Sequence, residues 1–150
     1  NYKGGLSGQH EPHMIEKGLP GEGNIIVYDN GAPPLRSSAH VGKSFILEID
    51  PVTEEIVWKF EDGERFYSSF RSNVQRLPNG NTLICESEGP RIFEVTREKE
   101  IVWEHTFEWT PLFGWSYRYP YDHCPQLKVS KKPEERQIVP PPYVRTKSIV

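Results

Sequence analysis

A chain of 150 residues with 35% hydrophobic content, 12% aromatic residues and four tryptophans suits one β-rich domain with an aromatic core better than a disordered chain. Its 18 basic and 21 acidic residues leave a net charge of −3 and form no basic stripe, which argues against nucleic acid as a partner. The longest apolar runs, about five residues, fall far short of the ~20 needed to cross a bilayer, so no membrane span is expected.

Eight short strands are predicted in chain order. Residues 13–16 and 24–28 flank the turn Gly18-Leu-Pro-Gly-Glu-Gly23, and 44–49 and 55–60 flank Asp50-Pro-Val-Thr53. Between these pairs, 30–43 read as a Gly/Pro/Ser-rich insertion of the kind that shapes binding sites. Residues 61–71 read as a crossover. Beyond it, 73–76 and 82–86 flank Leu77-Pro-Asn-Gly80, a strong hairpin signal, and 91–95 and 100–105 flank Thr96-Arg-Glu-Lys99. Enrichment in Val, Ile, Phe and Trp with period-two alternation favours strand over helix throughout.

The second set of strands repeats the first. Ile46-Leu-Glu-Ile-Asp-Pro-Val-Thr-Glu-Glu-Ile-Val-Trp58-Lys-Phe60 returns as Ile92-Phe-Glu-Val-Thr-Arg-Glu-Lys-Glu-Ile-Val-Trp103-Glu-His-Thr-Phe107, offset by 46 residues at the start and 45 at the tryptophan. A short-strand repeat of that length marks a β-propeller blade. The expected fold is therefore all-β: two four-stranded antiparallel blades over 1–107 (about 8–60 and 66–107), forming an incomplete ring, with an aromatic and Pro-rich extension over 108–150. Propellers have about 4–8 blades, so the remaining blades are expected from another chain or a further copy. The start at Asn1 lacks an initiator Met and a signal-like segment, as a processed or truncated polypeptide would.

In the extension, Trp109, Phe113, Trp115, Tyr117, Tyr119 and Tyr121 could stack a ligand ring, seal the propeller end or form a protein interface. Pro140-Pro-Pro142 cannot sit inside a paired strand, so the tail is expected to run as an extended arm over the surface or towards a partner. Cys85 and Cys124 make no disulfide framework, although they could pair. Asp122-His123-Cys124 carries metal-ligand residue types. Neighbours on an extended chain point opposite ways, however, and one Cys with one His closes no four-ligand site, so no metal is expected.

Several phrases together resemble the arylsulfotransferase family of β-propeller proteins: Gly8-Gln-His-Glu-Pro-His-Met-Ile15, Gly18-Leu-Pro-Gly-Glu-Gly-Asn-Ile-Ile-Val-Tyr-Asp-Asn-Gly31, Leu47-Glu-Ile-Asp-Pro-Val-Thr53, Gln75-Arg-Leu-Pro-Asn-Gly-Asn-Thr-Leu-Ile-Cys-Glu86, Arg91-Ile-Phe-Glu-Val-Thr96 and Tyr117-Arg-Tyr-Pro-Tyr-Asp122. The order of the phrases, over about 5–127, makes the likeness specific. The resemblance implies a periplasmic or extracellular protein and a position towards the C-terminal end of a longer propeller. It also implies sulfuryl transfer from an aryl sulfate to a phenol through a histidine, without a diffusible cofactor. A weaker echo, Asp50-x-x-Thr53 with Trp58, is similar to the tryptophan-docking motif of quinoprotein propellers, which is structural.

On that reading His13 and His10 are the candidate catalytic residues, and Arg71, at the equivalent approach to the second blade, is the candidate substrate-binding cation. An imidazole supplies a nucleophile near neutral pH and a guanidinium offsets charge developing on the transferring group. The alternative is a non-catalytic binding or assembly subunit, with the histidines bonded to loop backbone and the C-terminal arm on a partner chain. Ser72-Asn73 stands where a further funnel histidine is expected. His40 and His105 read as solvated, Ser38, Ser68 and Ser69 lack a partner base, and Trp58 and Trp103 read as packing between blades.

Overall fold

The computed structural model describes residues 5–31, 42–89, 91–107 and 114–127, and the chain divides into two compact units, 1–118 and 119–150. The first unit contains β1 (His10–Met14), β2 (Ile25–Asp29), β3 (Phe45–Ile49), β4 (Ile56–Phe60), β5 (Asn73–Arg76), β6 (Thr82–Glu86), β7 (Arg91–Val95) and β8 (Ile101–Thr106). These strands form two antiparallel four-stranded sheets, β1-β2-β3-β4 and β5-β6-β7-β8. Neither sheet closes on itself, and each has the meander order of a propeller blade. A 3₁₀ turn, Gly63–Arg65, lies in the crossover between them. No helix among the described residues is long and apolar enough to cross a membrane.

The strands lie where the residues predict them, within one position, except at β1. Expected over 13–16, it begins at His10 and ends at Met14. His10 pairs with Tyr28 but His13 with Ile26, so three steps along β1 oppose two along β2. Glu11 sits in this bulge with φ 51°. The extra residue breaks the period-two pattern that would have extended the predicted strand back to His10.

The residue lost between the repeats is located in the turn joining the third and fourth strands. Asp50 N–H donates to Glu55 O at 2.9 Å in the first blade, and Thr96 N–H to Glu100 O at 2.9 Å in the second. Each turn contains one left-handed residue, Glu54 at φ 60° and Lys99 at φ 74°. The second turn closes the same geometry one residue sooner.

One buried cluster joins the blades: Ile26, Tyr28, Ile46, Trp58 and Phe60 from the first meet Val74, Ile84, Phe93 and Val95 from the second, with Phe66 of the crossover between them. The Phe66 ring makes edge contacts with Tyr28 at 5.4 Å and Phe93 at 5.6 Å. The Trp58 indole N–H donates to Arg97 O at 2.8 Å, in the β7–β8 turn of the neighbouring blade. Arg76 and Arg97 lie over its ring at 5.3 and 5.6 Å. Both guanidiniums also bond the buried Glu48 carboxylate, Arg76 at 2.6 Å. Trp58 is thus the lock between blades that its place in the repeat predicts.

Trp103 departs from that pattern. Its side chain is 37% exposed, and Arg118 lies over it at 5.4 Å while bonding Glu94. Glu94 also accepts from Asn79 at 3.0 Å and Asn81. Those hydrogen bonds, with the Arg118 charge, outweigh the effect of burial and hold the carboxyl below its ordinary range. A folded-state value below the unfolded one stabilises the fold above the unfolded pKa, about 4.3, and that contribution is lost as the pH falls through the folded value. Urea titrations between about pH 5 and pH 3 are expected to show a smaller acid-induced fall in midpoint for Glu94→Gln than for the native chain.

In the second unit, His123 N–H donates to Pro120 O at 3.0 Å, the His123 ring stacks on Tyr119 at 4.3 Å and Pro125–Leu127 form a 3₁₀ turn. Cys85 is buried, Cys124 is exposed and both are free thiols. Ser38, His40, Trp109, Phe113 and the arm over 128–150 lie outside the described residues.

Candidate functional site

The bulge in β1 decides which way its histidines face. Residues three apart on a regular strand point to opposite faces. Here His10 and His13 pair with Tyr28 and Ile26, two apart on β2, so both stand on the side facing the second blade. Both are half-buried.

His10 is held at both ring nitrogens. Its Nδ1 lies 3.0 Å from Gly8 O and 2.7 Å from Asn30 Oδ1, and its Nε2 accepts from the Arg71 backbone N–H at 3.3 Å. A carbonyl only accepts and an amide N–H only donates, so the proton is on Nδ1. Asn30 is fully buried and donates from Nδ2 to Ser68 O at 2.8 Å and Arg71 O at 3.1 Å. Arg71 and Ser72 both have positive φ, 56° and 74°. Two successive left-handed non-glycine residues are costly, and the bonds from His10 and Asn30 hold them there.

His13 differs. Its Nδ1–H donates to Glu11 O at 3.1 Å, a bond made possible by the bulge. That places the proton on Nδ1 and the lone pair on Nε2. No partner for Nε2 occurs among the described residues. Glu11 also accepts from the Tyr117 hydroxyl, which brings Tyr117 beside the start of β1. The Arg71 side chain is exposed, with its guanidinium 5.5 Å from the Phe70 ring. The structure therefore joins His10 and the Arg71 backbone directly, and sets His13 on the same face of β1 as His10.

Register gives the counterparts in the second blade. Asn73 pairs with Cys85 and Gln75 with Leu83 on β6, as His10 pairs with Tyr28 and His13 with Ile26 on β2. Asn73 corresponds to His10 and Gln75 to His13, so Asn73 does stand where a further histidine was expected. Asn73 exchanges a pair of bonds with the Ser116 backbone, both at 2.9 Å, and Gln75 does the same with Arg118, at 3.0 and 2.8 Å. His10 makes the analogous bond to the Arg71 backbone. Among these four positions, His13 is the one whose side chain does not hold the chain that follows its own blade.

Asn30 and Glu11 were not singled out by sequence, and Tyr117 was named only within the aromatic run, not as a partner of β1. Asn30 looked like the edge of a loop, Glu11 lay in an unrecognised bulge, and Tyr117 is distant in the chain. Cys85 is no competing nucleophile: burial pushes its thiol up to about 11, leaving little thiolate near neutral pH.

Two repeated four-stranded sheets, joined by the Trp58 indole and with His10 and His13 on the first strand, define a segment of β-propeller type. The model for the arylsulfotransferase (ASST) family matches residues 3–108, and the chain belongs to that family. No curated protein and no solved structure matches it.

Proposed function

We propose that the chain carries the histidine part of an arylsulfotransferase site, in which His13 receives the sulfuryl group of an aryl sulfate and passes it to a phenol. The observation that carries this reading is the His13 Nε2, which has no partner among the described residues and is fixed as the lone-pair nitrogen by the Nδ1–H bond to Glu11 O. In the first step the Nε2 lone pair forms a bond to sulfur while the sulfur–oxygen ester bond breaks, and the donor leaves as a phenolate with that electron pair. In the second step the oxygen of the acceptor phenol attacks sulfur, the nitrogen–sulfur bond breaks and the acceptor proton passes to solvent. Sulfur keeps its oxidation state, so no redox cofactor is needed.

His10 is assigned as a positioning residue, because its Nε2 already accepts the Arg71 N–H. The exposed Arg71 guanidinium is assigned to the sulfate oxygens, which it can meet through more than one N–H. The family supports a periplasmic or extracellular setting for this chemistry.

The test is release of nitrophenolate from para-nitrophenyl sulfate in the presence of phenol. Acceptor-dependent release supports the reading, and its absence overturns it. Arg71→Gln is expected to raise the donor KM about tenfold, the scale of a lost charge-assisted bond, with a smaller change in kcat. His10→Asn, which copies Asn73, is expected to stay within a few-fold of native turnover. A loss as large as that of a nucleophile would make His10 catalytic instead.

A non-catalytic binding or assembly subunit is the second reading. It is favoured by Asn73 and Gln75, which occupy the histidine positions of the second blade and serve only to hold backbone. Folding of His10→Asn and His13→Gln without change in any transfer activity would support it.

A further inference from the structure

The chain presents a phenol of its own to the residue that orients His13. The Tyr117 hydroxyl donates to the Glu11 carboxylate, and the backbone carbonyl of the same Glu11 takes the Nδ1–H of His13 at 3.1 Å. One residue thus sets the tautomer of the nucleophile and receives an aryl hydroxyl. The bulge in β1 allows both, because Glu11 stands there at φ 51°, outside the regular alternation of the strand. The Tyr117 ring is delivered from the other blade. Asn73 and Gln75 clamp the backbone of Ser116 and Arg118 through four hydrogen bonds of 2.8–3.0 Å. The residue between those two clamps crosses to Glu11, so Tyr117 spans from the innermost strand of the second blade to that of the first.

We propose, on the reading of His13 as the sulfuryl carrier, that Glu11 binds the acceptor phenol and acts as its general base, with Tyr117 holding the acceptor's place until one displaces it. An incoming phenol gives the Glu11 carboxylate the same kind of bond that Tyr117 gives it now, so the exchange is like for like. As the acceptor oxygen forms its bond to sulfur, its O–H bond breaks and the proton goes to the Glu11 carboxylate. The nitrogen–sulfur bond breaks with its electron pair returning to His13 Nε2. Glu11 then releases the proton to water, and sulfur keeps its oxidation state. A phenol is a poor nucleophile while it keeps its proton, so a carboxylate placed to take that proton serves the second step and not the first.

Charge separates the two substrates in the same way. The Glu11 carboxylate repels an aryl sulfate, which is an anion, and favours a neutral hydroxyl that can donate to it. The donor is left to the Arg71 guanidinium. Tyr117 is 39% exposed, so its ring already reaches solvent and can swing aside while the clamps on Ser116 and Arg118 hold the backbone.

The experiment is a fluorine NMR titration of the 150-residue chain with para-fluorophenol, with no sulfate donor present. Saturable binding is expected, tightened about three- to tenfold by Tyr117→Phe, which removes the internal competitor. Glu11→Gln in that background keeps an accepting oxygen but no charge, and should weaken binding about fivefold. The ether para-fluoroanisole, with no hydroxyl proton, should not compete. In the transfer assay Glu11→Gln should lower the acceptor kcat/KM about 100-fold, but less than about tenfold for a phenol already ionised at the assay pH, which needs no base. Glu11→Gly suits the positive φ and keeps the carbonyl on His13, so it should show the same pattern if the side chain alone is responsible. Phenol binding that Tyr117→Phe fails to tighten, or an equal loss for ionised and protonated acceptors, would overturn the proposal. So would a sulfuryl group found on Tyr117, which would make it an acceptor and not a placeholder. Phenol binding with these variant effects but no adduct on His13 would support the Glu11 site and overturn only the reading of His13.

Discussion

Arg76→Met is expected to destabilise the fold by about 3 kcal/mol and to lower Tm by roughly 10 °C. Arg76 and Glu48 are each 1% exposed at the side chain and bonded at 2.6 Å across the two blades. Burial draws the Arg76 guanidinium down to about 10, Glu48 opposing the shift, so the side chain remains a cation at neutral pH. Removing it strands most of the Glu48 charge in an apolar junction, where Arg97, 37% exposed, and the Asn24 amide at 2.8 Å remain to answer it. The double variant Glu48→Leu/Arg76→Met is expected to regain at least half of the loss, because a matched apolar pair leaves no buried charge uncompensated. Urea melts of the two variants check both parts. A double variant no better than the single would mean that packing around Trp58, not the charge pair, holds the blades together.

That junction also shows how far sequence alone reaches. The tryptophan of the repeated phrase could be read as a lock, since its place after a matching turn is conspicuous and its size dictates burial. Its partners could not. Arg76 is an ordinary polar ending to a hairpin strand until register sets it opposite Glu48, and Arg97 is an ordinary turn residue. Strand positions were legible because alternation and turn chemistry are local properties. Orientation in β1 was not, because one inserted residue reverses every side chain beyond it and leaves no compositional trace. The histidines were found through a phrase, but the bond that ties the His13 Nδ1 to Glu11 O depended on that bulge. The clamp that Asn30 makes on Arg71, 41 residues away, has no sequence signal either.

His13→Asn is expected to lower sulfuryl transfer at least about 1,000-fold while leaving stability within about 1 kcal/mol of native. The size follows from the role: without the imidazole no covalent intermediate forms, and donor and acceptor can react only by direct displacement in a site built for two steps. Stability should change little because the side chain makes a single local bond, to Glu11 O at 3.1 Å. His10→Asn is the matched control on the same strand. Its side chain is tied to Asn30 and Arg71, so its loss is expected to register in unfolding more than in turnover. If the two variants lose activity alike, the division of labour drawn from their hydrogen bonds is wrong.

The most direct test is to incubate the native chain with para-nitrophenyl sulfate in the absence of phenol, quench at mildly alkaline pH and map the peptides by mass spectrometry. The sulfuryl group is predicted on His13, lost on adding phenol and absent from His13→Asn. A chain that releases nitrophenolate with no adduct, or carries the adduct on another residue, would contradict the assignment of His13 as nucleophile.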